Sequence, residues 1–149
     1  MWGYSFSDAN APDFEFDQSY SQRPGPVKQR QAEPLGTFLA LLTALYEEQV
    51  AAVSGRGGLI SFCSVLEDRF CHIPEDVVVP GILEVADLAD IAASITPRPV
   101  LLEELVNGRN KKVPVHTMEK EYGTQTSQLV LREQSEELSL PGWLLNMLK

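Results

Sequence analysis

The sequence predicts an α/β protein, a small parallel sheet with helices packed on both faces. Helical and strand-like segments alternate along the chain from Gly36 to the C-terminus. The strand-like segments are short and continuously apolar, as expected of strands covered on both faces. A helix-length connection separates each from the next, which is what parallel pairing demands. The order is helix–strand three times and then a closing helix. Right-handed crossovers follow from that order, and so does a three-layer arrangement around about three strands. A parallel sheet that small leaves an unpaired edge.

Each element has a local cause. Phe38, Leu41, Leu42, Leu45 and Tyr46 recur at helical spacing, so Gly36 to about Glu48 reads as a helix. Gln49 to Val53, QVAAV, follows as a small-residue strand and ends at Ser54-Gly55-Arg56-Gly57-Gly58. Leu59 to Leu66 is mixed apolar and fits a short helix. Asp68 to Gly81 holds Pro74, Pro80 and Gly81 and reads as an irregular loop. From Asp87, residues Leu88, Ile91, Ala92 and Ile95 form one apolar stripe. Pro97 and Pro99 stop that helix, because a proline disfavours helical geometry in the residue before it. Val100-Leu101-Leu102 is then a buried strand, closed by the turn signal Asn107-Gly108. Pro114 to Tyr122 is a helix ended by Gly123, and Leu129-Val130-Leu131 a third strand. Leu138 to Leu148 is a terminal helix with Trp143, Leu144, Met147 and Leu148 on one face.

Residues 1–34 differ from the rest. Aromatic and acidic residues are scattered among Pro12, Pro24, Pro26 and Pro34, and Arg23-Pro24-Gly25-Pro26 is a breaker cluster. On composition this is a poorly ordered N-terminal segment, with residues 35–149 as the domain. The sharper alternative is a segment whose aromatics dock onto exposed sheet surface.

The chain has 149 residues, 44% of them hydrophobic and 22% charged, ordinary proportions for one globular domain. Its net charge of −9 argues against nucleic acid as a partner, since phosphate contacts need surplus Lys and Arg. No apolar run approaches the roughly 18 residues needed to span a bilayer. Nor does a basic stretch lead into an apolar core at the N-terminus, so the reading is cytoplasmic, with no membrane partner. Cys63 and Cys71 are expected as two buried or half-buried free thiols rather than a bridge.

Three stretches carry a family resemblance: LGTFLALLTALYEEQVAAV, PGILEVADLADIAASITPRPVLLE and the closing PGWLLNML. Gly36 to Lys149, about three quarters of the chain, resembles the C-terminal half of an α/β-hydrolase. The nearest branch is that of the acetyl xylan esterase-like and dipeptidyl-peptidase-like enzymes. The resemblance implies that the first helix follows a nucleophile elbow and that the loop after the TPRPVLL strand bears a catalytic acid. That chemistry needs a serine on a tight glycine-flanked turn, a histidine to take its proton and a carboxylate to orient the histidine. Laying G-x-S-x-G so that its last glycine falls on Gly36 puts the nucleophile slot at Pro34, which offers neither hydroxyl nor N–H. The acid slot falls at Asn110 or Lys111, with Glu103 and Glu104 nearby but still on the strand or its end. No histidine occurs in Arg132 to Glu137, after the last strand. The catalytic site is therefore expected to be empty of a triad, and no cofactor or metal is implied.

Other groupings read as structural. His116 sits in the first turn of its helix. Cys63, Cys71, His72 and His116 lack the short paired spacings of a zinc site. Ser54, Ser61 and Ser64 have no elbow around them. Ser54 to Gly58 follows neither phosphate-loop pattern and reads as a flexible crossover loop. Gly108-Arg109-Asn110-Lys111-Lys112, the basic cluster of an acidic chain, reads as a solvated turn, with an anion-binding or docking patch as the alternative. Three functional readings follow: a truncated or degenerate hydrolase that is silent alone, an interaction module that self-associates or docks through its unpaired sheet edge, or a hydrolase half whose nucleophile comes from a separate chain that completes the sheet.

Overall fold

The computed structural model describes residues 1–14, 31–67, 69–135 and 139–147. Four parallel strands form one sheet: β1 (Trp2–Tyr4), β2 (Val53–Arg56), β3 (Val100–Glu103) and β4 (Leu129–Arg132), in the order β1-β2-β3-β4. The connecting helices are α1 (Leu35–Tyr46), α2 (Cys63–Leu66), α3 (Leu88–Ser94) and α4 (Val115–Tyr122), and α5 (Ser139–Met147) follows β4. Two 3₁₀ turns, Glu75–Val77 and Ile82–Glu84, break the long loop before α3. A parallel sheet with flanking helices is the α/β class expected, and it is consistent with three layers. Helix α1 packs on β1 and β2, and α1, α3 and α4 lie side by side.

The register explains which residues the helices cover. Gly3, Gly55, Leu102 and Leu131 stand opposite one another across the sheet. Leu102 and Leu131 belong to the main core with Phe38, Leu41, Ile91 and Met118. A Cβ on Gly3 would run into the Gly36 carbonyl, and one on Gly55 into the Thr37 methyl. The two glycines thus let α1 lie against the sheet at backbone distance. The neighbouring row, Tyr4, Arg56, Glu103 and Arg132, alternates to the opposite face.

Helix α3 begins at Asp87, whose carboxylate accepts from the Leu88 N–H while Asp90 Oδ2 accepts from the Asp87 N–H at 2.9 Å, a reciprocal cap. The same carboxylate accepts from Phe62 and Cys63 N–H at 2.7 and 3.1 Å, so one side chain serves the starts of both α2 and α3. At the Pro-Arg-Pro corner the Thr96–Pro97 peptide is cis. Arg98 Nη1 there donates to the Glu47 and Val50 carbonyls at 3.0 and 3.2 Å, holding the end of α1 against the entry to β3.

Three expectations change. The sheet has four strands, because Trp2–Tyr4 pairs with Ser54–Arg56. Residues 2–4 are therefore part of the sheet, and the breaker cluster at 23–26 lies outside the described residues. The strand expected at Gln49–Val53 instead occupies Val53–Arg56, inside the sheet between β1 and β3, so it offers no edge. The shift has a packing cause: Gly55 fits beneath α1 against the Thr37 methyl, whereas Val50 turns back to bond Glu47 and Arg98. Most of the stretch expected to be a flexible glycine loop is thus strand. Finally, Cys63 and Cys71 are free but exposed rather than buried.

Candidate functional site

In open parallel sheets the loops after the strands form the ligand crevice, so the carboxyl edge is where chemistry belongs. Here that edge is a charged network. Arg132 Nη1 lies 3.4 Å from Glu103 Oε1, and the Arg56 guanidinium carbon stands 5.1 Å above the Tyr4 ring centroid. Glu104, the first residue past β3, has φ of +53°, a left-handed conformation that non-glycine residues seldom adopt. Its carboxylate accepts from Arg56 Nε at 2.9 Å, pairs with Lys112 Nζ at 3.1 Å and accepts from the Ser135 N–H at 3.3 Å. The left-handed turn breaks strand alternation and brings a second carboxylate to the edge beside Glu103. Burial disfavours the ionised Glu104, but hydrogen bonds from Arg56, Ser135 and Lys112 outweigh it and hold the carboxyl below its usual range.

Ser5 follows β1 directly and is buried. Its Oγ donates to the Ser7 carbonyl at 2.8 Å and accepts from the Glu33 N–H at 2.8 Å and the Ser7 N–H at 3.3 Å. Both lone pairs and the proton are therefore engaged. The cleft beside it, lined by Tyr4, Ser5, Asp8, Arg56, Glu104 and Lys112 among others, measures about 30 Å³. That is room for a water or two. Sequence reasoning passed over Ser5, although Gly3-Tyr4-Ser5-Phe6-Ser7 departs from G-x-S-x-G only in its last residue.

The expected slots resolve differently. Pro34 is buried and caps α1, thirty residues past the end of β1 rather than in a strand-to-helix turn. Asn110 is fully buried with φ of +58°. Its Oδ1 accepts from the Ala32 N–H at 2.8 Å and its Nδ2 donates to the Ala32 carbonyl at 2.9 Å. An amide satisfies both groups, whereas a carboxylate has no proton for the second. Asn110 is a clamp on the segment leading into α1. After β4, the Ser135 N–H donates to Glu104 Oε1 at 3.3 Å, and no histidine follows that strand.

The chain's two histidines are elsewhere. His116 is exposed on the first turn of α4. His72 is half-buried with its ring centroid 6.4 Å from that of Phe14, and burial lowers its pKa. Neither lines the cleft beside Ser5. Among the described residues, no group of three or more His, Cys, Asp or Glu side chains could hold a metal ion. Ser54 is buried in β2, and Ser61 and Ser64 bond each other's backbone at the start of α2. The basic turn is a docking element within the molecule: Asn10 pairs with Lys111 as an isolated bridge, and Lys111 Nζ donates to the Pro12 carbonyl at 2.8 Å.

No helix among the described residues is long and apolar enough to cross a membrane. The chain matches no family model, no curated protein and no solved structure.

Proposed function

We propose that this chain is a degenerate α/β-hydrolase, an esterase-like scaffold equivalent to the C-terminal half of that fold and silent as a catalyst on its own. The observation that carries the reading is the carboxyl edge. Its carboxylates are neutralised by Arg56, Lys112 and Arg132, the Ser5 hydroxyl is spent on Ser7 and Glu33, and no histidine lines the cleft. Ligand pockets are typically about 300–1,000 Å³, roughly ten times or more the space beside Ser5. Free thiols at Cys63 and Cys71 fit the cytoplasmic setting that goes with it.

The test pairs hydrolysis of a short-chain p-nitrophenyl ester with a fluorophosphonate probe and intact mass. No turnover and no adduct are expected. Turnover with a single adduct on Ser5 would overturn the reading and make Gly3-Tyr4-Ser5 a working elbow.

A second reading, an interaction module, is favoured by β1. This edge strand spans three residues, and its first residue, Trp2, is 64% exposed. A second copy or a completing chain would pair there. Sedimentation equilibrium separates the two: a concentration-dependent dimer supports the module, and a monomer across the micromolar range removes self-association.

A further inference from the structure

A second groove beside β1 shares Tyr4, Phe6 and Ser7 with the ion-paired cleft but has a different chemistry. It is open, about 610 Å³, and its walls include Tyr4, Phe6, Glu33, Leu35, Leu39 and Asp76. Phe6 meets Tyr4 edge to face, with centroids 5.3 Å apart at 82°, and is 87% exposed. Leu39 on α1 is 49% exposed, an apolar side chain that the fold leaves in water. Glu33 and Asp76 are exposed at the margin, and neither forms an ion pair among the described residues. Aromatic rings, aliphatic floor and unneutralised carboxylates together fit one class of ligand.

We propose that this groove takes the guanidinium or ammonium side chain of a partner peptide, with an apolar neighbour of that residue on Leu35 and Leu39. The chemistry has a precedent inside the molecule, where Arg56 stands over Tyr4 while Glu104 binds its Nε. The groove offers the same pairing to an outside cation: an open ring face at Phe6 and carboxylates at Glu33 and Asp76. Because Arg56 is already neutralised by Glu104, it does not repel an incoming cation strongly. The net charge of −9 draws basic segments toward the surface. The inference does not depend on the hydrolase reading and survives its failure.

The test titrates the full chain with acetyl-Leu-Arg-Leu-amide and with the same peptide carrying citrulline, which keeps shape and loses charge. Binding is followed by backbone amide shifts and by Trp2 fluorescence, since the Trp2 and Tyr4 rings are 6.2 Å apart. The arginine peptide should move the amides of Phe6, Glu33, Gly36 and Asp76, and citrulline should weaken binding at least about fivefold. The double variant E33Q/D76N should weaken the arginine peptide about tenfold with its melting temperature unchanged, and F6A about threefold. Equal affinity for citrulline, or shifts confined to other parts of the molecule, would overturn the proposal. So would the absence of any saturable shift up to millimolar peptide.

Discussion

The two faces of the sheet show how differently four strands can treat adjacent residues. On the helix side, the row Gly3, Gly55, Leu102 and Leu131 has no polar side chain, and α1 lies against its glycine half at backbone distance. One residue further along, on the opposite face, the row is Tyr4, Arg56, Glu103 and Arg132, joined by an ion pair and a cation over a ring. The first row is held by shape. The second is held by charge, its cations about a third exposed and Glu103 buried. Close packing tolerates almost no change of volume, whereas partly exposed ion pairs are worth little singly. The helix-side row should therefore dominate stability, with the charged row setting how stability responds to pH.

The largest effects belong to the glycine contacts. Gly3→Ala puts a methyl into the Gly36 carbonyl, where backbone has nowhere to go, so β1 should detach from α1. A loss of about 3 kcal/mol or more in urea unfolding is expected, and an unchanged midpoint would show that β1 contributes nothing to the cooperative unit. Leu102→Ala, fully buried in the same row, should cost about 2–5 kcal/mol in the same measurement.

Asn110→Asp sharpens the comparison at the acid slot. It supplies the carboxylate that the resemblance calls for, yet it takes the proton away from the Ala32 carbonyl. Destabilisation of about 1–3 kcal/mol with no gain in ester hydrolysis is expected, and a gain in turnover would return Asn110 to a catalytic role.

Acid titration addresses the charged row. The Glu104 carboxyl is lowered on folding, so its contribution is complete above the ordinary carboxylate range and lost as pH falls through the folded value. The His72 pKa is also lowered, so the folded state binds fewer protons and stability begins to fall below about 6.5, the ordinary histidine value. Glu104→Gln should flatten the more acidic of these two phases and leave the other in place. A titration curve that Glu104→Gln does not change would mean the Arg56 and Lys112 pairs are not formed in solution. Smallest of all, Lys112→Ala removes the more exposed cation of the Glu104 cluster, at 3.1 Å, while Arg56 and Ser135 keep that carboxylate bonded, and should cost about 0.2–1 kcal/mol.

Much of the fold was legible because its signals are local. The α3 stripe from Leu88, the proline stop before β3, and the run at Val100 depend on residues within one or two turns of each other. The site was less legible. Ser5 was hidden because a three-residue strand gives no periodicity to read, and β1 is defined only by its pairing with β2. The clamp role of Asn110 was not legible, because its partner Ala32 is 78 positions away in sequence.

By itself, the sequence determined the α/β class, the helix order, the three inner and outer strands from β2 to β4 to within a few residues, and the lack of a histidine after the last strand. Those follow from hydrophobic periodicity, breakers and residue identity, which are properties of short stretches of chain. Tertiary structure alone decided that Trp2–Tyr4 completes the sheet, that β2 begins at Val53, and that Glu104 is neutralised by Arg56 and Lys112. Each of these is a contact between distant segments. Its energy exists only once the chain has closed on itself, so no window of sequence carries it.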